Sequence, residues 1–308
     1  MRSWGLSAAE QDEVWARWRK GESLRLIARQ LGKRVPSVRA FVLQTGGVEH
    51  AADLLAEYVL AMKHGLLRYE HLVDIKTVPD LTKIELKDSY LSIGALTTHR
   101  EIERSQIVRE RIPVLAEMET KVANVRVRAT GTLGGNLCFA EPHSDPANLL
   151  LCLGARAKIQ GGKGERTVPM DELIVDAYET SLAPDEVLTS VEIPTPDKSQ
   201  RAAYLKFQFY ERPTLGVALL LNLDEGGRNI TKARAVVGCI SLKPCRSDKA
   251  EALLVGPRDK VEKQLLDAAE ILADLADPSD DLQGSAEYKR HLVGVFLRRA
   301  FVKALSGS

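Results

Sequence analysis

The sequence has 308 residues, of which 44% are hydrophobic and 28% charged, a composition typical of folded proteins rather than disordered chains. Lys and Arg number 43 and Asp and Glu 42, so the net charge of +1 argues against nucleic-acid binding by the whole surface. No stretch approaches the roughly 18 apolar residues of a membrane span, and the N-terminus lacks the apolar core of a signal peptide, so we expect a cytoplasmic protein.

Residues 1–47 differ from the rest of the chain in charge. They hold nine basic and four acidic residues, a net charge of +5, which leaves −4 for the remainder. Ser7 and Glu10 have the spacing of a capping box. A helical apolar pattern starts at Leu24 and stops at Gly32, and Pro36 suits the first position of a third helix. Three short helices around a basic turn predict a helix-turn-helix, and a small helical cap with solvated charges is the alternative.

The third of these helices would carry the contacts to DNA. Arg34, Ser37 and Arg39 lie near its start, where a recognition helix meets bases or phosphates. The segment LSAAEQDEVWARWRKGESLRLIARQLGKRVPSVRAFVLQTGGV, at about residues 6–48, resembles the N-terminal helix-turn-helix of insertion-sequence transposases. Nothing downstream resembles a transposase catalytic domain.

From residue 68 onward, strands and helices alternate. We predict strands at RYEHLVDIK, SYLSIGAL and EVLTSVEIP, a hairpin at ARAKIQGG and ERTVPM, and helices at THREIERSQIVRE and IPVLAEMETKVANV. From about residue 199, three predicted strands (YLKFQFY, GVALLLNLD, ITKARAVVGCISL) precede two helices (DKVEKQLLDAAEILADLAD, SAEYKRHLVGVFLRRAFVKAL). This order predicts an α+β domain with helices on one face of a three-stranded antiparallel sheet.

The stretch 130–145 is the strongest candidate for chemistry, and we predict that it is a loop. It contains Thr132, Leu133, Gly134, Gly135 and Asn136. Paired glycines permit positive φ and let backbone N–H groups converge on an anion, and the Thr and Asn side chains add donors. Such a loop suits a pyrophosphate, and a tight structural turn is the alternative. It is neither a dinucleotide-binding G-x-G-x-x-G motif nor a Walker A loop.

Five motifs in order identify a family for the body of the chain. They are RYEHLVDI, LSIGALTTHREIE, GTLGGNLCFAEPHSDPANLLLCLGA, EVLTSVEIP and GSAEYKRHLVGVFLRRA. Over about residues 53–305 the chain resembles the FAD-binding medium subunit of molybdenum hydroxylases, which include carbon monoxide dehydrogenase and xanthine dehydrogenase. The resemblance implies a PCMH-type FAD-binding domain at 49–196 and a C-terminal α+β domain at 197–308, after a helix-turn-helix segment at 1–48.

The same resemblance implies the site residues. Segment 132–136 matches the family's second flavin loop, which contacts the FAD pyrophosphate and ribityl chain. Asp145 matches an acid that contacts FAD, Leu188 an apolar residue near the cofactor, and Lys206 a basic residue there. From the residues alone, Asp145 could equally cap a helix that starts at Pro146, and Leu188 could be plain core. We expect no catalytic acid, base or nucleophile and no metal site in this chain.

The implied function is electron transfer through FAD. In the family, a large subunit with a molybdenum cofactor handles the substrate, a small subunit carries two [2Fe–2S] clusters, and the medium subunit exchanges electrons with an external partner. This chain departs from the family because its first strand–helix–strand unit and first glycine loop are missing, and Gly46-Gly47 belong to the transposase-like end. We therefore expect impaired flavin binding, and a DNA-binding chimera or a nonfunctional fusion product are the alternatives.

Overall fold

The computed structural model describes residues 7, 9–10, 13–14, 17, 24–33, 73, 75–209 and 212–306. The chain divides into two compact units, of which the first contains the described residues up to Val73 and the second those from Ile75 onward. Among the described helices, none is both long and apolar enough to cross a membrane.

The first unit contains two of the predicted helix signals. The N–H of Ser7 donates to the Glu10 carboxylate at 2.7 Å and the N–H of Glu10 donates to Ser7 Oγ at 3.3 Å, which confirms the capping box. Helix α1 (Leu24–Gln30) is followed by Gly32 at φ +61°, the left-handed stop that glycine favours. Outside the described residues lie the predicted third helix and its candidate DNA contacts, Arg34, Ser37 and Arg39.

The second unit starts with a sheet and a group of helices. Its elements up to residue 194 are β1 (Ile84–Lys87), β2 (Tyr90–Gly94), α2 (His99–Arg104), α3 (Gln106–Arg111), α4 (Pro113–Glu119), α5 (Val125–Thr130), α6 (Leu133–Phe139), α7 (Asp145–Leu153), β3 (Arg156–Gly161), β4 (Gly164–Pro169), α8 (Met170–Leu173), β5 (Ile174–Asp176), β6 (Glu179–Thr180) and β7 (Glu186–Pro194). Strands β1-β2-β7-β3-β4 form an antiparallel sheet in that order, and β5 pairs with β6.

This first sheet confirms most of the predicted strands. The hairpin of β3 and β4 is present, and β7 covers the whole of EVLTSVEIP. Strand β1 was not predicted. Of the predicted strand RYEHLVDIK, the described residues Val73, Ile75 and Lys76 are not in a strand, and the others lie outside the described residues.

A second antiparallel sheet forms the C-terminal part of the unit. Its elements are β8 (Gln200–Phe207), β9 (Leu215–Leu223), β10 (Asn229–Gly238), β11 (Cys245–Arg246), α9 (Asp248–Leu253), β12 (Gly256–Pro257), α10 (Arg258–Ala276) and α11 (Ala286–Ser306). The three predicted strands and two long helices are confirmed, and the short strands β11 and β12 both add to β10.

The second sheet is covered on both faces, whereas the sequence predicted helices on one face. Along β9, Val217 and Leu219 belong to the core beneath α10 and α11, while Ala218 and Leu220 belong to the core that contains α7. A strand buried on both faces reads as a continuous apolar run, as LGVALLLNL does. Helix α7 therefore joins the two sheets through one shared core.

Candidate functional site

The segment 132–136 is the start of a helix, so the predicted loop is wrong there, whereas residues 140–144 lie in neither a helix nor a strand. Thr132 is the N-cap of α6, and its Oγ1 accepts a hydrogen bond from the N–H of Gly135 at 3.1 Å. Because Thr is a favourable N-cap, T-L-G-G-N begins a helix instead of remaining open. The left-handed residue is Ala140, at the far end of the helix, with φ +48°.

The reason for the paired glycines also differs from the prediction. Neither Gly134 nor Gly135 is among the described residues with positive φ. A Cβ on Gly134 would lie 2.6 Å from Ala95 Cβ, so glycine is required for close packing of α6 against the end of β2. The backbone N–H groups are already bonded inside the domain: Leu133 to the carbonyl of Thr97 (3.0 Å), Gly134 to that of Ala95 (2.7 Å), and Asn136 to that of Thr132 (3.0 Å).

Asn136 keeps a free donor in this segment. Its Oδ1 accepts a hydrogen bond from Ser144 Oγ at 2.6 Å. Its side chain is partly exposed, and its Nδ2 donates to no group in the described part of the chain. Of the side-chain donors that the sequence predicted for an anion, this amide nitrogen remains available.

Asp145 lies at the first position of α7, and Ser144 is the cap of that helix. The Oγ of Ser144 accepts from the N–H of Ala147 at 3.4 Å, so the alternative that Asp145 caps the helix is wrong. The Asp145 carboxylate is buried, with 3% of its side chain exposed. Lys206 Nζ donates to Oδ2 at 2.8 Å, and the Tyr204 hydroxyl donates to Oδ1 at 2.5 Å. The fold thus joins two predicted site residues that are 61 positions apart.

Burial dominates the electrostatics of this cluster. It raises the pKa of Asp145 above its ordinary value, although the Lys206 charge and the hydrogen bonds from Lys206 and Tyr204 oppose the rise. Burial also raises the pKa of Tyr204 well above 10.0, so its hydroxyl stays protonated and donates. Lys206 Nζ makes a second short hydrogen bond, to the backbone carbonyl of Lys121.

Asn148 connects α7 to the second sheet. Its Nδ2 donates to the carbonyl of Ser144 at 3.0 Å and approaches Cys239 Sγ at 3.2 Å. Gly216 and Gly238 face each other on β9 and β10, and a Cβ on either would collide with the Asn148 side chain. The two glycines thus leave a slot that a buried amide fills, and this slot fixes α7 on the sheet.

A buried ion pair between His99 and Glu119 lies next to the start of α6. His99 Nδ1 lies 2.8 Å from Glu119 Oε2, with 3% and 0% of the two side chains exposed. The N–H of His99 donates to the carbonyl of Gly131, next to the N-cap of α6. Burial alone would lower the pKa of His99, but the Glu119 charge and hydrogen bond outweigh it and raise the pKa.

Leu188 is fully buried in the core of the first sheet, opposite Ile159 on β3, as the plain-core alternative predicts. Sequence reasoning missed Ser144, Tyr204 and Asn148. A signal existed for two of them. Ser144 stands two residues before a proline, which is typical of a helix cap. Tyr204 lies two residues before Lys206, and the period of 2 in a strand places both on one face.

The cysteine thiols are unpaired. Burial raises the pKa of the Cys138 and Cys152 thiols to about 12, so both stay protonated and unreactive at neutral pH. In the described part of the chain, no group of three His, Cys, Asp or Glu residues could hold a metal ion.

Two protein families match consecutive parts of the chain. Residues 55–196 match the family described as FAD binding domain in molybdopterin dehydrogenase, and residues 208–304 match the CO dehydrogenase flavoprotein C-terminal domain. Strand β8, the first strand of the second sheet, lies between the two matches.

Relatives with assigned activities cover most of the chain. The carbon monoxide dehydrogenase medium chain of Afipia carboxidovorans is 33% identical over 79% of this chain and 84% of its own length. The nicotine 6-hydroxylase medium subunit of Paenarthrobacter nicotinovorans is 31% identical, over 88% of this chain and 98% of its own. Among solved structures, carbon monoxide dehydrogenase from Hydrogenophaga pseudoflava superposes with a TM-score of 0.77 at 29% identity, covering 83% of this chain and 88% of that chain.

Proposed function

The chain belongs to the FAD-binding medium subunits of molybdenum hydroxylases, and we propose that it carries electrons between iron–sulfur clusters of a partner subunit and an external acceptor. Its cofactor is FAD, and it is an electron-transfer subunit of an oxidoreductase. The proposal rests on one arrangement: the cluster of Asp145, Tyr204 and Lys206 is tied through Ser144 to the segment 132–136.

We propose that side chains, more than backbone groups, hold the cofactor in this chain. When bound, FAD supplies the redox chemistry, and the protein binds and orients it. Asn136 Nδ2 is an unpartnered donor suited to a phosphate or ribityl oxygen, and the buried residues Thr132, Leu133, Gly134 and Gly135 form the helix start that carries it. The buried pair of Asp145 and Lys206 holds the neighbouring helix start in place, and Leu188 is part of the core beneath it.

We propose that flavin binding is weaker than in a subunit with both glycine loops. The proposal rests on the expectation that the first loop is missing, and on the N–H groups of residues 133–136, which are already bonded within the domain. Each hydrogen bond to a charged oxygen contributes about 1.5–3 kcal/mol, so the loss of two or three weakens FAD binding by roughly 10²-fold or more.

Titration of the purified chain with FAD, followed by flavin fluorescence, tests this proposal. We expect saturable binding with a Kd in the micromolar range or above. Submicromolar affinity would show that another segment rebuilds the first loop. No binding at all would contradict the flavin-subunit function itself and favour the nonfunctional fusion product.

The partners follow from the relatives. Carbon monoxide dehydrogenase and nicotine 6-hydroxylase relatives carry the names of medium subunits, which supports a complex of this chain with a molybdopterin-binding large subunit and a [2Fe–2S] small subunit. The family matches at 55–196 and 208–304 support the two proposed domains at 49–196 and 197–308. Unpaired thiols support a reducing, cytoplasmic location. Co-purification of the three subunits after co-expression tests the assembly.

We propose separately that segment 1–48 is a helix-turn-helix that binds DNA weakly. The capping box at Ser7, the stop at Gly32 and the ion pair of Glu10 with Lys33 (3.2 Å) support it. Nonspecific binding typically has a Kd of about 10⁻⁴–10⁻⁶ M at physiological salt, and a segment with charge +5 makes few phosphate contacts. Anisotropy titration of the full chain with duplex DNA tests this; nanomolar binding that discriminates between sequences would refute it.

A further inference from the structure

Ser144 makes two contacts from one hydroxyl. Its oxygen accepts from the N–H of Ala147 as the cap of α7, and its proton is donated to Asn136 Oδ1 at 2.6 Å. Ser144 is buried, with 4% of the residue exposed, so solvent does not compete for these bonds. The contact links the first turn of α7 to the candidate flavin segment.

We propose that Ser144 is a positioning residue that fixes the amide of Asn136, so that its NH₂ group faces the cofactor. The inference rests on the proposed function, and the ligand chemistry is an anionic or hydroxyl oxygen of FAD. Without a fixed partner, an asparagine amide can rotate and present either its oxygen or its nitrogen. An oxygen directed at a phosphate would repel it, so orientation decides whether Asn136 attracts or opposes the ligand.

The geometry determines which way the amide faces. A separation of 2.6 Å is typical of an O–H···O bond and is shorter than the usual N–H···O distance. The Ser144 oxygen already accepts from Ala147, and its single proton needs an acceptor, which Asn136 Oδ1 provides. With Oδ1 held on this side, both N–H bonds of Nδ2 remain for a ligand on the other side.

The cap of α7 is in turn held by the second sheet. Asn148 donates to the carbonyl of Ser144, and the neighbouring Asp145 is bound by Tyr204 and Lys206. Ser144 is therefore fixed before any ligand arrives. A preorganised donor avoids the ordering cost that a mobile side chain would pay on binding.

Ser105 offers a matched control. It is the N-cap of α3 and accepts from the N–H of Val108 at 3.5 Å, but it makes no side-chain contact with Asn136. Ser144→Ala and Ser105→Ala therefore both remove a serine cap, and only the first releases the Asn136 amide. We expect Ser144→Ala to weaken FAD binding by about tenfold, in line with one hydrogen bond to a charged group, and Ser105→Ala to leave the Kd unchanged.

A double-mutant cycle separates positioning from general damage. If Ser144 acts through Asn136, then Ser144→Ala has no further effect on the FAD Kd once Asn136→Ala is present. Equal weakening by Ser144→Ala in both backgrounds, or equal weakening by the two serine variants, would overturn the proposal.

A measurement without FAD distinguishes this inference from the proposed function. NMR relaxation of the Asn136 side-chain amide, assigned by its loss in Asn136→Ala, reports its order directly. We expect the Asn136 amide to become more mobile in Ser144→Ala and to keep its parent mobility in Ser105→Ala. An unchanged order parameter in Ser144→Ala would overturn the positioning role. If Ser144→Ala increases the motion of the Asn136 amide but the chain binds no FAD, the positioning role of Ser144 is supported and the assignment of FAD as the ligand of Asn136 is overturned.

Discussion

Lys206→Met is the substitution with the largest expected effect, because it removes the charge that faces Asp145. The Lys206 side chain is 5% exposed, and methionine has a similar length without the ammonium group. Asp145 would keep the hydrogen bond from Tyr204 but would lose its counter-ion, and the carbonyl of Lys121 would lose a donor.

The magnitude follows from two limits. Removing one partner of a buried ion pair costs about 3–5 kcal/mol, because an uncompensated charge remains in the core. The folded chain can escape part of this cost by protonating Asp145. A carboxyl with the ordinary pKa of 3.8 is protonated at pH 7 at a cost of about 1.4 kcal/mol for each pH unit between these two values. The electrostatic part of the stability loss is therefore limited to about 4 kcal/mol. We therefore expect a loss of about 3–4 kcal/mol at pH 7 that shrinks as the pH falls towards 4.

Lys289→Met provides a control with the same local chemistry. Lys289 Nζ is also buried, lies 2.7 Å from Asp281 and donates to the carbonyl of Ser279. The Asp281 side chain, however, is 43% exposed and can be hydrated again when its partner is lost. We expect a smaller loss in this variant at pH 7.

Urea unfolding of both variants at several pH values measures these effects. A loss of about 3–4 kcal/mol corresponds to a melting temperature lower by roughly 6–16 °C for a unit of this size. The reasoning would be refuted if the two lysine variants lost equal stability, or if the loss in Lys206→Met were the same at pH 4 and pH 7.

Two further predictions concern the supports of the site. Because the pKa of His99 is raised above 6.5, its pair with Glu119 contributes stability that is present below pH 6.5 and is lost as the pH rises through the folded pKa. We expect the free energy of unfolding of the parent chain to decrease across this pH range. In His99→Gln, we expect it to depend less on pH. Gly238→Ala places a methyl group in the space of the Asn148 amide, so we expect a loss of about 1–3 kcal/mol in urea unfolding. Adding Asn148→Ala should recover part of that loss. If the stability losses of the two single variants simply add in the double variant, the conclusion that the Asn148 amide fills the space beside Gly238 is contradicted.

Local chemistry could be predicted from the sequence where a signal spans only a few residues. The capping box at Ser7, the stop at Gly32 and the strand β7 follow from neighbouring side chains and appear as predicted. The same local reasoning failed at T-L-G-G-N, because two glycines are compatible with both a loop and a tightly packed helix start. Close contact with Ala95, 39 positions before Gly134, decided between them.

The sequence by itself determined the family, the cofactor and most of the elements, since each depends on motifs or periodicities that are read along the chain. Only the tertiary structure decided which residues meet. Asp145 is paired with Lys206 across 61 positions, and Asn148 enters a slot between Gly216 and Gly238. A buried charge or amide takes its partner from whatever the fold brings within about 3 Å, and neither spacing nor composition encodes that choice.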